Sequence, residues 1–339
     1  MNLNTNPKPR ILLHLICMVT IVGTLTACTR NAQDPPTNIA SSSHTTSSSI
    51  VDDVKPFQPE ELPDLLLQGK NETVHQQFNT QFKQQVSLKD MEQLSAFHEG
   101  VQSYTLKSTM KLSGSTNYIW TDEQVKKGIQ AVFDPEGRIS GLLLVPLETF
   151  PETDVKKTDT TFALPFHGEW FTFWGGTNVL VNYHYEHPSQ RYAYDFVQQK
   201  DGSSYQGDAT KLSSYYAFGQ PILASAPGKV VELKNQITDN EPVGTMNEKE
   251  PAGNYVVIDH GNGEYSIYAH LQKGSVKVKV GDQVQAGDIL GLCGNSGNSS
   301  EPHLHFQVSN GVNLFESKSI RIQFENNADY IQGTTIKAP

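Results

Sequence analysis

The sequence predicts two folded units in series, an α+β unit over residues 60–150 and a mostly β unit over residues 160–325. Three observations lead there. The chain has 339 residues, more than one ordinary domain and suited to two. In the first stretch helical apolar spacing gives way to short strand patterns, the order of an α+β layer. In the second, β-prone runs alternate with glycine-bearing turns, and seven of the eleven histidines fall between His167 and His305.

The segment before these units has the character of an address. Residues 1–10 are polar and carry Lys8 and Arg10, and an apolar stretch runs from Ile11 to Thr26. That stretch is short of the ~20 residues a spanning helix needs. A basic start, a short apolar run and small residues before a cut predict a secretory signal over residues 1–27. Leu25-Thr26-Ala27-Cys28 resembles a bacterial lipobox. The resemblance implies that Cys28 is acylated and becomes the mature N-terminus, so that the protein is exported and lipid-anchored to the outer face of the cell membrane. Residues 28–59 are rich in Ser, Thr, Asn and Pro, with the runs Ser41-Ser42-Ser43 and Ser47-Ser48-Ser49. They hold too little apolar surface to fold and read as a tether.

Composition excludes some functions. A formal net charge of −10 argues against a nucleic-acid partner, which demands a basic face. It argues equally against broad attraction to anionic lipid, so a membrane tie would be covalent. With Cys17 in the leader and Cys28 at the processing site, Cys293 stands alone and no disulfide framework exists. Cys293 is expected to be a small buried hydrophobe.

In the first unit, Val74, Phe78 and Phe82 recur every fourth residue, with Val86 next in the series, which predicts a helix. Ser87-Leu88-Lys89-Asp90 is close to a capping box and opens a second helix to Phe97, stopped by Gly100. Four strands follow: Tyr104–Lys111, turned by Leu112-Ser113-Gly114; Tyr118–Trp120; Ile129–Phe133, turned by Pro135-Glu136-Gly137; and Ile139–Val145. The segment resembles an NTF2-like domain found beside lysostaphin-type peptidases. His75 and His98 have no metal-ligand spacing and are expected to be structural.

The second unit carries the candidate chemistry. His303-Leu304-His305 continues into Phe306-Gln307-Val308, a strand pattern that puts both imidazoles on one face. Gly291, Gly294 and Gly297 before it make a tightly turning loop. Tyr268-Ala269-His270-Leu271 ends a run that pairs with Asn254–His260 across Gly261-Asn262-Gly263, so His270 sits at a strand end. In Tyr192–Val197, Asp195 shares a face with Ala193 and Val197, and a carboxylate there needs a partner if buried. Asn182-Tyr183-His184 precedes it, after the β-prone run Val179–Tyr183. Two imidazoles and a carboxylate could bind zinc and leave its fourth position for water, the pattern of a catalytic site.

The order His184…Asp195…His270…His303-x-His305, over about half of the chain, is similar to that of lysostaphin/LytM-type zinc endopeptidases. The resemblance implies Zn2+ held by His184, Asp195 and His305, with His270 and His303 catalytic, and peptidoglycan peptides as substrate. The spacing of eleven between His184 and Asp195 follows a subgroup with Asn-x-His and a later Gln-Arg-Tyr-Ala-x-Asp, here Gln190 to Asp195. His187 is the competing first ligand. Two histidines three apart on an extended strand face opposite ways, and Pro188 disfavours His187. His167 and His260 match no functional position and are expected to be structural. Val276–Leu290, with Pro221–Ala224 and Gly228–Val231, resembles a lipoyl-like hybrid barrel, but no modifiable Lys sits in a carrier-like hairpin. No Glu stands in a His-Glu-x-x-His setting. The rival readings are a non-catalytic wall-binding or regulatory module on the same fold, and a peptidase acting on a protein.

Overall fold

The first unit begins with short helices because its cap residues keep interrupting the apolar series. In the computed structural model, which describes residues 56–339, α1 (Leu62–Leu67), α2 (Asn71–Gln76), α3 (Thr80–Gln85) and α4 (Leu88–Gln93) follow one another. The signal segment, Cys28 and the tether as far as residue 55 lie outside the described residues. The single helix expected through Val74, Phe78, Phe82 and Val86 is therefore two. The Asn79 side chain accepts from Phe82 N and restarts the helix. Between the two, the Asn79 and Ile139 amides exchange backbone hydrogen bonds with the Ile139 and Gln77 carbonyls. All four apolar residues are nonetheless buried. The capping box at Ser87 and Asp90 is complete in both directions.

Strands β1 (Tyr104–Leu112), β2 (Ser115–Asp122), β3 (Lys127–Phe133) and β4 (Ile139–Pro146) form an antiparallel meander in sequence order. Alternation along β2 divides its faces. Trp120 packs with the helices in one cluster, while its neighbour Ile119 packs on the other side with Leu147, Leu180 and Val181. Both faces are covered, and residues 57–339 form one compact unit. Met110 adds a contact with Phe171 and Val197.

Beyond a short turn of helix, α5 (Pro151–Asp154), the chain is almost wholly β. Its strands are β5 (Lys157–Phe162), β6 (Gly168–Trp174), β7 (Tyr194–Val197), β8 (Pro221–Leu223), β9 (Gly228–Lys234), β10 (Asn254–Asp259) and β11 (Tyr265–Leu271). After these come β12 (Gln283–Val284), β13 (Ile289–Leu292), β14 (Leu304–Ser309), β15 (Ser319–Phe324) and β16 (Thr335–Ala338). The main sheet runs β12-β9-β10-β11-β14-β7-β6-β16, with β15 also on β14 and paired in parallel to β5. A buried set of aromatic and branched residues, including Trp170, Phe196, Tyr268 and Phe306, lies on one side of it. Cys293 belongs to that core as a free thiol, and burial pushes its pKa well up. Among the described residues no helix is long and apolar enough to cross a membrane.

One expected strand is absent. Val179–Tyr183 is a turn leading into a single 3-10 turn, Tyr183–Glu186. Asn178 explains this: its side-chain oxygen accepts from Leu180 N and Val181 N, which diverts these amides from any ladder.

Candidate metal and catalytic centre

The centre is built by register. In the antiparallel pair β7–β14, Asp195 lies directly opposite His305, across 110 residues of sequence. Their side chains meet, with His305 Nδ1 3.0 Å from Asp195 Oδ1. On the other edge of β14, His305 stands opposite Ala269 of β11. His303 comes just before β14 and sets its Nε2 3.7 Å from the same Asp195 oxygen.

His270 follows Ala269, so simple alternation would aim it away from His305. It faces the centre because β11 bulges there. The β10–β11 register slips between Asn254 and Val256, and His270 adopts φ 62°. A bulge re-aims a side chain in this way. The His270 ring centroid lies 4.7 Å from that of His303 and 5.9 Å from that of His305. The loop after Gly294 packs against this bulge, and Gly253 makes the approach possible. At φ 61°, a Cβ there would sit 2.3 Å from the Ser296 carbonyl oxygen.

His184 completes the group from the 3-10 turn, with Nε2 3.6 Å from Asp195 Oδ2. The argument from opposite faces of a strand does not apply, since His184 lies in the 3-10 turn and His187 is the residue just beyond it. Burial separates the candidates instead: His184 is 1% exposed, whereas His187 is exposed. One donor atom each from His184, Asp195 and His305 lies within 4.8 Å of the others. Both imidazoles and the carboxylate are buried. A buried carboxylate ringed by imidazoles is a chemically suitable donor set for zinc.

Hydrogen bonds assign the nitrogens. Asn182 Oδ1 takes His184 Nδ1 at 3.0 Å, and the Asn182 amide group donates to Gly176, Arg191 and Ala193 carbonyls. Ser296 O takes His270 Nδ1 at 2.8 Å, and Glu301 O takes His303 Nδ1 at 2.8 Å. All three rings therefore carry their proton on Nδ1 and present Nε2. His305 is reversed: its Nε2 is held at 3.0 Å by Gln307 Oε1, leaving Nδ1 toward Asp195. Gln307 is itself fixed by donating to Ser189 O and Ser309 Oγ. Such partners set tautomer and orientation at metal sites. Sequence reasoning passed over Gln307 as a site residue, although it continues the His303-x-His305-x-Gln307 alternation on one face.

The electrostatics follow from burial. Burial alone would raise the Asp195 carboxyl, but His184, His303 and His305 hold it well below the usual carboxylate range. Burial pushes His184 down to about 3, against the pull of Asp195. His270 is lowered well below the ordinary histidine value by burial, and then by His303 and His305. His305 goes the other way, because Asp195 outweighs its burial.

Four further described histidines stand elsewhere. His260 is held between Pro227 O and Ser266 Oγ, and His167 meets Pro339 O. His75 contacts Val86 O and His98 contacts Tyr104 Oη.

Residues 212–317 match the profile of Peptidase family M23, a stretch that contains His270, His303 and His305 and stops short of His184 and Asp195. The peptidoglycan DD-endopeptidase ShyA of Vibrio cholerae is 41% identical over 90 residues, 26% of this chain and 17% of that protein. The glycyl-glycine endopeptidase ALE-1 of Staphylococcus capitis is 39% identical over 90 residues, 26% of this chain and 21% of that protein. The chain thus spans only about a fifth of the length of these relatives. Among solved structures, the catalytic domain of lysostaphin from Staphylococcus simulans aligns with 51% of this chain and 95% of its own, at 23% identity and a TM-score of 0.25. Residues 212–317 thus resemble Peptidase family M23, and His305 within them joins His184 and Asp195 from outside the matched stretch in a group suited to Zn2+.

Proposed function

We propose that this protein is a zinc-dependent endopeptidase that hydrolyses amide bonds in the peptide part of peptidoglycan. The observation that carries the reading is the joining of a three-donor group to two further imidazoles whose Nε2 atoms are uncommitted. His184 Nε2, Asp195 and His305 Nδ1 would hold the metal. Zinc held there supplies Lewis acidity, which polarises a scissile carbonyl and acidifies water. His270 is buried, and its Nδ1–H is committed to the Ser296 carbonyl. Its bare Nε2 suits it to take a proton from the attacking water and return it to the leaving amine. His303 lines the open cleft with its Nδ1–H on Glu301 O, and as an imidazolium it would donate from Nε2 toward the substrate oxygen as charge develops there. The relatives' names, peptidoglycan DD-endopeptidase and glycyl-glycine endopeptidase, support the substrate class.

The domain reading belongs to the same proposal. Residues 60–150 are an NTF2-like support for a peptidase domain over 160–325. The chain is exported under the signal 1–27, anchored through acylated Cys28 and held off the membrane by the tether 28–59. An acyl mass on the mature N-terminus tests the anchor, and its absence would remove it.

Digestion of purified walls by the zinc-loaded chain, with mass analysis of the fragments, tests the activity. New amine and carboxyl ends are expected. Wall binding without new ends would instead favour a non-catalytic module.

A further inference from the structure

The cleft beside His303 is not made by the main sheet alone. It has a volume of about 480 Å³, and its lining includes Leu112 and Ser113, the tip of the β1–β2 hairpin, together with Asp195 and His303. The tip is a tight turn. Leu112 pairs with Ser115, leaving a two-residue loop in which Ser113 and Gly114 both have positive φ, the turn that matches strand twist. The hairpin is clamped below the tip. Met110 packs on Phe171 and Val197, and Ser108 Oγ donates to Gln332 O at 2.8 Å in a buried contact.

The chemistry of this cleft is one-sided. Leu112, Phe173, Trp174 and Met246 supply an apolar and aromatic wall. Among the described residues no Lys or Arg lines it, and its acids are Asp195 and Glu301. Asp195 is committed to the metal group. Glu301 is held by Ser204, whose hydroxyl donates to Oε2 at 2.8 Å. A held carboxylate that shares a cleft with aromatic side chains recognises a cation on an alkyl stem, since ring faces and carboxylate both attract an ammonium.

We propose that the hairpin tip and Glu301 form a substrate subsite for an alkylammonium group, so that the first unit helps to set specificity. The proposal rests on the peptidase reading above and names the group that the peptide substrate presents beside His303.

The test uses the zinc-loaded chain and wall muropeptides that carry a free side-chain amine, confirmed by mass, with the same muropeptides after N-acetylation. Wild type is expected to cleave the amine form with kcat/KM at least tenfold higher. Glu301→Gln should bring that ratio toward one. Leu112→Lys and Leu112→Glu disturb the wall equally but differ in charge. The Lys variant should fall about tenfold below the Glu variant on the amine form and match it on the acetylated form, with zinc content unchanged in both. Equal cleavage of the two forms by wild type, or equal behaviour of the two Leu112 variants on the amine form, overturns the subsite and leaves the peptidase standing. Cleavage of neither form overturns the peptidase reading and the subsite with it.

Discussion

Replacing Gln307 by Leu should weaken zinc binding although Gln307 touches no metal. Its Oε1 accepts from His305 Nε2, while its amide group donates to Ser189 O and Ser309 Oγ. Leu fills similar space and removes all three contacts. Without the acceptor, the His305 proton is free to move to Nδ1, the nitrogen that faces Asp195, and that tautomer cannot bind a metal through Nδ1. Loss of such an outer partner typically costs 10–100-fold in metal affinity, about 1.4–2.7 kcal/mol. Folding should lose about 2–6 kcal/mol as well, because His305 and Ser309 are buried and a group left unpaired in a buried site costs about 1–3 kcal/mol. Gln307→Glu separates the two effects: it keeps an acceptor at the same place and should hold zinc within about threefold of wild type. Affinity is measured by competition with a chromophoric chelator, and the tautomer by 15N shifts of the His305 ring. If the Leu variant binds zinc as tightly as wild type, with His305 still protonated on Nε2, the tautomer argument is wrong.

Asp195→Ala and His305→Ala should lose zinc by at least about 100-fold, whereas His303→Ala should keep it and lose about 10²–10⁴ in kcat; elemental analysis beside wall cleavage checks the division. His184→Ala should lose zinc and His187→Ala should not, and the reverse pattern would transfer the ligand role. Burial, with Lys127 second, lowers His98 to about 4 from an ordinary 6.5. The unfolded chain therefore binds the extra proton between these values, so the stability His98 contributes is full above about pH 6.5 and is lost as pH falls toward 4. The drop in Tm between pH 7.5 and 4.5 should be smaller for His98→Phe than for wild type, and equal drops would count against the shift.

Much of the architecture can be read locally. The meander from Tyr104 to Pro146, the hairpin across Gly261-Asn262-Gly263 and the Ser87–Asp90 cap follow from periodicity and turn chemistry that act over a few residues. The same is true of the His303/His305 alternation, since a strand places i and i+2 on one side wherever it lies. Local preference fails at Val179–Tyr183, where the side chains of Asn178 and Asn182 take backbone amides out of any ladder.

Other features were decided by tertiary structure alone. Asp195 faces His305 because β7 and β14 pair in one register, and a slip of one residue would turn the carboxylate to the other face. His270 reaches the centre only through a bulge and a positive φ that its own sequence does not announce. Gln307 becomes an anchor for His305, and the Leu112–Ser113 tip becomes a wall of the cleft, only once strands distant in sequence have packed together. Residue order determined which elements form and which groups are available to chemistry. Which atoms meet was settled by hydrogen-bond register and close packing between segments more than 100 residues apart, as with Asp195 and His305, terms that no short stretch of sequence contains.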